Sequence, residues 1–153
     1  MEEKNLEKFE EIFQEKPSII NSLRGDFNKT LLMETVWTKR FDIFVHLMKF
    51  AQDFSLVDKY GWNVLHRVSW FGTVDWLKLF SQKTIERLIN RTDNVKRTPL
   101  HHAAYMNKHK VIEWLLAKGS DPNLENKDGQ RPDEDIDCDD VTKEIFQSFR
   151  SSW

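Results

Sequence analysis

The chain is 153 residues long, 39% apolar, 31% charged and 12% aromatic, with 23 Lys+Arg against 25 Asp+Glu for a net charge of −2. That is material for one folded domain or one short repeat array, which excludes global disorder, and the balanced charge excludes nucleic-acid binding driven by a field of one sign. The single cysteine, Cys138, excludes an internal disulfide and fits a reducing compartment. Met1-Glu2-Glu3-Lys4 lacks an apolar signal region, and no apolar run reaches the ~18 residues of a membrane span.

Taken in chain order, residues 2–15 carry Leu6, Phe9, Ile12 and Phe13 at helical spacing with Glu and Lys opposite, which predicts an amphipathic first helix. Pro17 interrupts it, and Ile19, Ile20 and Leu23 follow before Gly25. Three segments then align with one another: residues 30–48, TLLMETVWTKRFDIFVHLM; residues 63–81, NVLHRVSWFGTVDWLKLFS; and residues 98–116, TPLHHAAYMNKHKVIEWLL. Their starts lie 33 and 35 residues apart. In the third segment Leu100, Ala103 and Ala104 share one face of a short helix, with Pro99 in its first turn and Thr98 as N-cap. Val111, Ile112, Leu115 and Leu116 predict a second helix that Gly119 ends, and Asp128-Gly129 marks a tight turn matched earlier by Tyr60-Gly61. An insertion of two residues near Ser81–Arg87 is expected to lengthen one connection between units. At the far end Val141, Ile145, Phe146 and Phe149 predict a one-sided final helix.

The spacing near 33, together with Thr98-Pro99-Leu100-His101 followed by Ala103, resembles the ankyrin-repeat family. The third unit matches it through Gly119-Ser120-Asp121-Pro122-Asn123. The second keeps Leu65-His66 and Gly72, while the first has Met33 where the family has His. A partial fourth start lies at Asp128–Pro132, with Arg131 in place of Thr. The resemblance implies an all-α solenoid of about three repeats with helical N- and C-terminal caps, in a single domain 1–153. Its N-cap helices span 1–25, its repeats 26–57, 58–92 and 93–125, and the partial repeat and C-cap 126–153. Capped ends in turn imply a complete chain. The resemblance also implies that His66 and His101 form hydrogen bonds within and between repeats.

The family docks partners on the concave side, built from hairpin tips and the exposed faces of the first helices. Register places Phe27, Lys29 and Trp37 there from the first repeat, and Lys59, Tyr60, Trp62, Trp70 and Phe71 from the second. The third contributes Arg97, Tyr105 and Met106. Asp26, Thr38, Asn94 and Val95 flank them, and Lys127, Asp128, Gln130, Cys138 and Asp139 extend the row into the fourth unit. Eight of these are large apolar or aromatic side chains, the residue types enriched in interface cores. The expectation is therefore a non-catalytic interaction module with a protein or peptide partner and no nucleic acid, membrane, metal or cofactor. It would be a monomer, or a homodimer through the concave face, in the cytoplasm or nucleus. The alternative is a stoichiometric inhibitor or regulatory subunit that grips a folded enzyme. Trp76 and Trp114 are expected to pack between repeats. Asp133, Asp135, Asp137, Asp139 and Glu144 fall at calcium-loop spacing, but Cys138 stands where that loop turns on Gly, so the segment reads as solvated acidic surface. Those acids would also raise the Cys138 thiol pKa and keep it unreactive.

Overall fold

The computed structural model describes residues 2–152 and, of their side chains, Lys8 and those from Glu10 onward. Leu6 and Phe9 of the expected first apolar face, and Trp153, lie outside the described set. Its helices are α1 (Glu2–Glu15), α2 (Leu31–Trp37), α3 (Phe41–Leu47), α4 (Val64–Phe71), α5 (Val74–Leu77), α6 (Gln82–Leu88), α7 (Pro99–Tyr105), α8 (His109–Ala117) and α9 (Asp140–Ser151). Single 3₁₀ turns occupy Pro17–Ile19 and Pro132–Glu134. No helix among the described residues is long and apolar enough to cross a membrane.

The inner helices stack in the order α2, α4, α7 and then the Pro132–Glu134 turn, while α3, α5, α8 and α9 form the outer row. Between the rows lies one continuous apolar core that includes Leu32, Phe44, Leu65, Leu77, Leu100, Ile112, Leu115 and Phe146. Each short helix buries only a stripe, so no unit is stable alone and the stack supplies the core. Ala103 and Ala104, fully buried, let α7 approach its neighbours closely. Trp76 is buried and meets Phe41 and Phe44 edge-on at 5.0 and 4.8 Å, bridging the outer helices of the first two repeats, and Trp114 is half-buried against the core.

The start of each inner helix is capped by a side chain. Thr30 accepts from the Met33 amide, Asn63 from the His66 amide and Thr98 from the His101 amide. In the second and third units the cap is reciprocal, because imidazole Nδ1 accepts the Asn63 and Thr98 amides at 3.2 and 3.1 Å. That bond fixes the tautomer and leaves Nε2–H free to donate across the repeat boundary, from His66 to the Arg97 carbonyl and from His101 to the Gln130 carbonyl, each at 3.1 Å. Met33 can do neither, so no side-chain bond of this kind joins the first two repeats.

The insertion near Ser81–Arg87 enters the connection as helix: the outer helix of the second repeat stops at Leu77, and Ser81 caps a separate helix, α6, by accepting the Thr84 amide. One local expectation is corrected. Val141 does not join the buried stripe of α9 but is exposed, the core contact being made by Phe146.

Candidate functional site

The concave face is built on the hairpin tips between repeats. Each is held by one carboxylate or carboxamide oxygen at a repeating position. Asp58 Oδ1 accepts the amides of Tyr60 and Trp62, Asp93 Oδ1 those of Val95 and Arg97, and Asn126 Oδ1 those of Asp128 and Gln130. A side chain that accepts amides two and four residues ahead closes a tight turn without a sheet partner. Successive tips are then tied by backbone bonds, Lys59 N–H to the Phe27 carbonyl, Asn94 N–H to that of Tyr60 and Lys127 N–H to that of Val95, all at 3.0 Å. This ladder sets the pitch at which tip side chains repeat.

The second oxygen of each aspartate reaches the inner helix nine residues on. Asp58 Oδ2 accepts from the Arg67 guanidinium, and Asp93 Oδ2 accepts His102 Nε2–H at 3.0 Å. Both pairs are buried and form the polar floor of the face. Burial works against the Asp93 carboxylate, but the hydrogen bonds from His102 and from the Arg97 and Val95 amides outweigh it and hold its pKa below the usual range. His102 is pushed down by burial, against the opposing pull of Asp93, and is therefore neutral at pH 7. His66, fully buried and close to His102, is driven down to about 3. These histidines carry hydrogen bonds between helix and tip.

Over this floor lies a groove of about 520 Å³ lined by Phe27, Lys29, Trp37, Tyr60, Trp62, Arg67, Phe71, Asp93, Asn94, Val95, Arg97 and His102. Its walls are aromatic contacts that run across repeats. Phe27 and Tyr60 pair from adjacent tips at 6.0 Å, Tyr60 leads to Trp62 at 6.4 Å, and Trp37 meets Phe71 edge-on at 4.9 Å. Trp62 packs on the His102 ring at 4.3 Å and on Trp70 at 5.4 Å, and Trp70 stacks on Tyr105 at 5.1 Å and 19°. Cations cover several ring faces: Lys59 over Phe27 at 3.9 Å, Lys29 over Phe27 and Trp37 at 5.5 and 5.6 Å, Arg67 over Trp62 at 5.6 Å and Arg97 over Tyr105 at 5.5 Å.

Of the residues expected on this face, Phe27, Lys29, Trp37, Tyr60, Trp62, Phe71 and Arg97 line the groove, with Lys59 leaning over its Phe27 wall. Trp70 and Tyr105 are half-buried and form a stacked shoulder beside it, while Trp37, 53% exposed, rests on Phe71. Met106, at the end of α7, is exposed but outside the groove lining. Cys138 is corrected outright. It is buried, its Sγ–H donates to the Pro132 carbonyl, and burial with nearby Asp135 and Asp133 raises its pKa to about 11. Asp139 caps α9 through the Thr142 amide and pairs with His109.

Arg67, Asp93 and His102 were not anticipated. Their signal was positional: Arg67 and His102 each follow the Leu-His pair, and Asp58 and Asp93 each lie eight residues before its His. The acids of 133–139 each have separate work, Asp133 with Arg150, Glu134 with Arg131, Asp135 with Arg97, and Asp137 accepting the Tyr105 hydroxyl and, first by its charge, raising that phenol's pKa.

A family model of ankyrin repeats in three copies matches residues 32–126. The nuclear factor NF-kappa-B p105 subunit of Rattus norvegicus is 30% identical over 114 residues, covering 74% of this chain and 12% of that protein. Rabankyrin-5 of Mus musculus is 27% identical over 119 residues, 70% of this chain and 10% of that protein. Oxysterol-binding protein-related protein 1 of Homo sapiens is 46% identical over 44 residues, 29% of this chain and 5% of that protein. The chain thus spans between 5% and 12% of the length of these relatives.

Proposed function

The chain belongs to the ankyrin-repeat family, and from that premise we propose that it is a non-catalytic adaptor that holds a protein or peptide partner in its aromatic concave groove. The repeats of this family are in general protein-interaction modules and in general not catalysts. The observation that carries the reading is the groove itself: aromatic walls contributed by the tips and inner helices of two repeats, left open over a buried polar floor. Folded chains seldom leave several large rings exposed in one depression without a binding role. The rings are held by mutual contacts and by the tip ladder, so little side-chain freedom is lost when a partner arrives. The cytoplasm or nucleus is the compartment that fits a single unreactive thiol.

The test combines Trp37→Ala with Trp70→Ala and Tyr105→Ala, followed by pull-down from the native source. Far-ultraviolet circular dichroism should stay helical, because none of the three side chains is fully buried, while partner recovery drops at least tenfold, the loss that truncating one interface hot spot brings. Undiminished recovery by a folded triple variant refutes the site.

A further inference from the structure

The concave face is electrically ordered along the solenoid. At the first-repeat end, residues 23–40 hold four bases, Arg24, Lys29, Lys39 and Arg40, against two acids, Asp26 and Glu34, with Lys29 paired to Glu34 at 2.6 Å and Arg40 to Asp42 at 2.8 Å. Lys59 adds its ammonium over Phe27 and Tyr60, and among the described residues no carboxylate pairs with it. At the other end, residues 126–140 hold seven acids against two bases. Arg97 is neutralised by Asp135 at 3.2 Å, and Asp137 is exposed, with a neutral phenol as its partner. Ile136, 92% exposed, stands between those two acids. The aromatic groove lies between a basic and an acidic end.

Building on the docking function above, we infer that the occupant is an extended peptide segment with an apolar anchor, acidic residues on the side that lies over Lys59, and basic residues on the side that lies over Asp137. The ring faces select an apolar rather than a cationic anchor. Phe27, Trp37, Tyr60, Trp62 and Tyr105 each already carry one of the chain's own cations, so a cationic anchor would meet positive charge where it sought a bare ring. A carboxylate beside the anchor instead completes Lys59. The groove follows the tip ladder, and an extended strand, at about 3.3 Å per residue, can place every second side chain along it.

The experiment selects a displayed library of random 14-residue peptides on the full chain, on Lys59→Glu and on Phe71→Ala. On the native chain the recovered peptides should carry a Leu or aromatic anchor with Asp or Glu enriched on one side and Lys or Arg on the other. Synthetic copies of the acid-flanked winners should bind Lys59→Glu about tenfold more weakly, and selection on that variant should favour Lys or Arg at the same positions. Peptides that need Phe71 but show no acid preference, or that bind Lys59→Glu unchanged, overturn the charge ordering while leaving the groove as the docking site. Peptides that bind Phe71→Ala as well as the native chain overturn the groove reading itself. A dimer of the chain alone in sedimentation, dissociated by Phe71→Ala, assigns the groove to a second copy and also overturns the inference.

Discussion

Replacing Asp93 tests the idea that one carboxylate joins the tip to the floor of the groove. Asp93→Ala removes the acceptor of the Val95 and Arg97 amides, each at 2.9 Å, and of His102 Nε2–H at 3.0 Å. The amides sit near solvent and recover part of their bonding from water, at about 1 kcal/mol lost for each, whereas the imidazole N–H stays orphaned in a buried site at about 1–3 kcal/mol. The sum is about 3–5 kcal/mol, or about 10 °C in melting temperature at 2–4 °C per kcal/mol. Asp93→Asn provides the internal control, because Asn126 performs the same tip closure in the fourth unit. The carboxamide keeps both amide bonds but turns its NH2 donor to His102, whose neutral ring must move its proton from Nε2 to the unpartnered Nδ1 to accept it, so it should cost about 1–2 kcal/mol. Guanidinium unfolding followed by tryptophan fluorescence measures both, with Trp62 and Trp70 packed on His102 as reporters. If Asp93→Ala costs less than about 1 kcal/mol, or if Asn costs as much as Ala, the shared-carboxylate account is wrong.

Stability should fall as pH drops from about 6.5, the ordinary histidine value, towards 5, because His66 is held at about 3 in the fold and the unfolded chain takes up its proton first. The loss from His66 alone should approach about 2 kcal/mol at pH 5, His101 and His102 adding in the same direction, and a flat stability between pH 7 and 5 would contradict their burial as neutral rings. Gly61→Ala should cost more than Gly129→Ala: both sit at positive φ, +80° and +73°, but a Cβ on Gly61 would lie 2.8 Å from the Asn94 backbone nitrogen, whereas Gly129 faces open space. About 1 kcal/mol is expected for Gly129 and at least twice that for Gly61, read from thermal melts. Cys138, buried with a thiol pKa of about 11, should react with a disulfide reagent at pH 8 only at the rate of unfolding, and fast labelling of the native protein would show the thiol to be accessible.

The repeat period, and the cap and stop of the third unit, were legible in the residues, because each depends on local chemistry. Thr98, Pro99 and His101 start a helix through bonds within four residues, and Gly119 stops one through its own φ. Register likewise placed Phe27, Tyr60 and Trp62 on one row, since a repeating unit that stacks at a fixed pitch repeats its surface. What the residues could not decide was which rings pair and which remain open. Trp70 turns to Tyr105 and Trp37 to Phe71, a choice set by side-chain packing between repeats rather than by position within one. The same holds for Asp93 and His102, which become partners only when tip and helix fold against each other, and for Cys138, which sequence places in an acidic strip and packing removes from solvent. Local bonding wrote the units, and burial between neighbouring units selected the face they present.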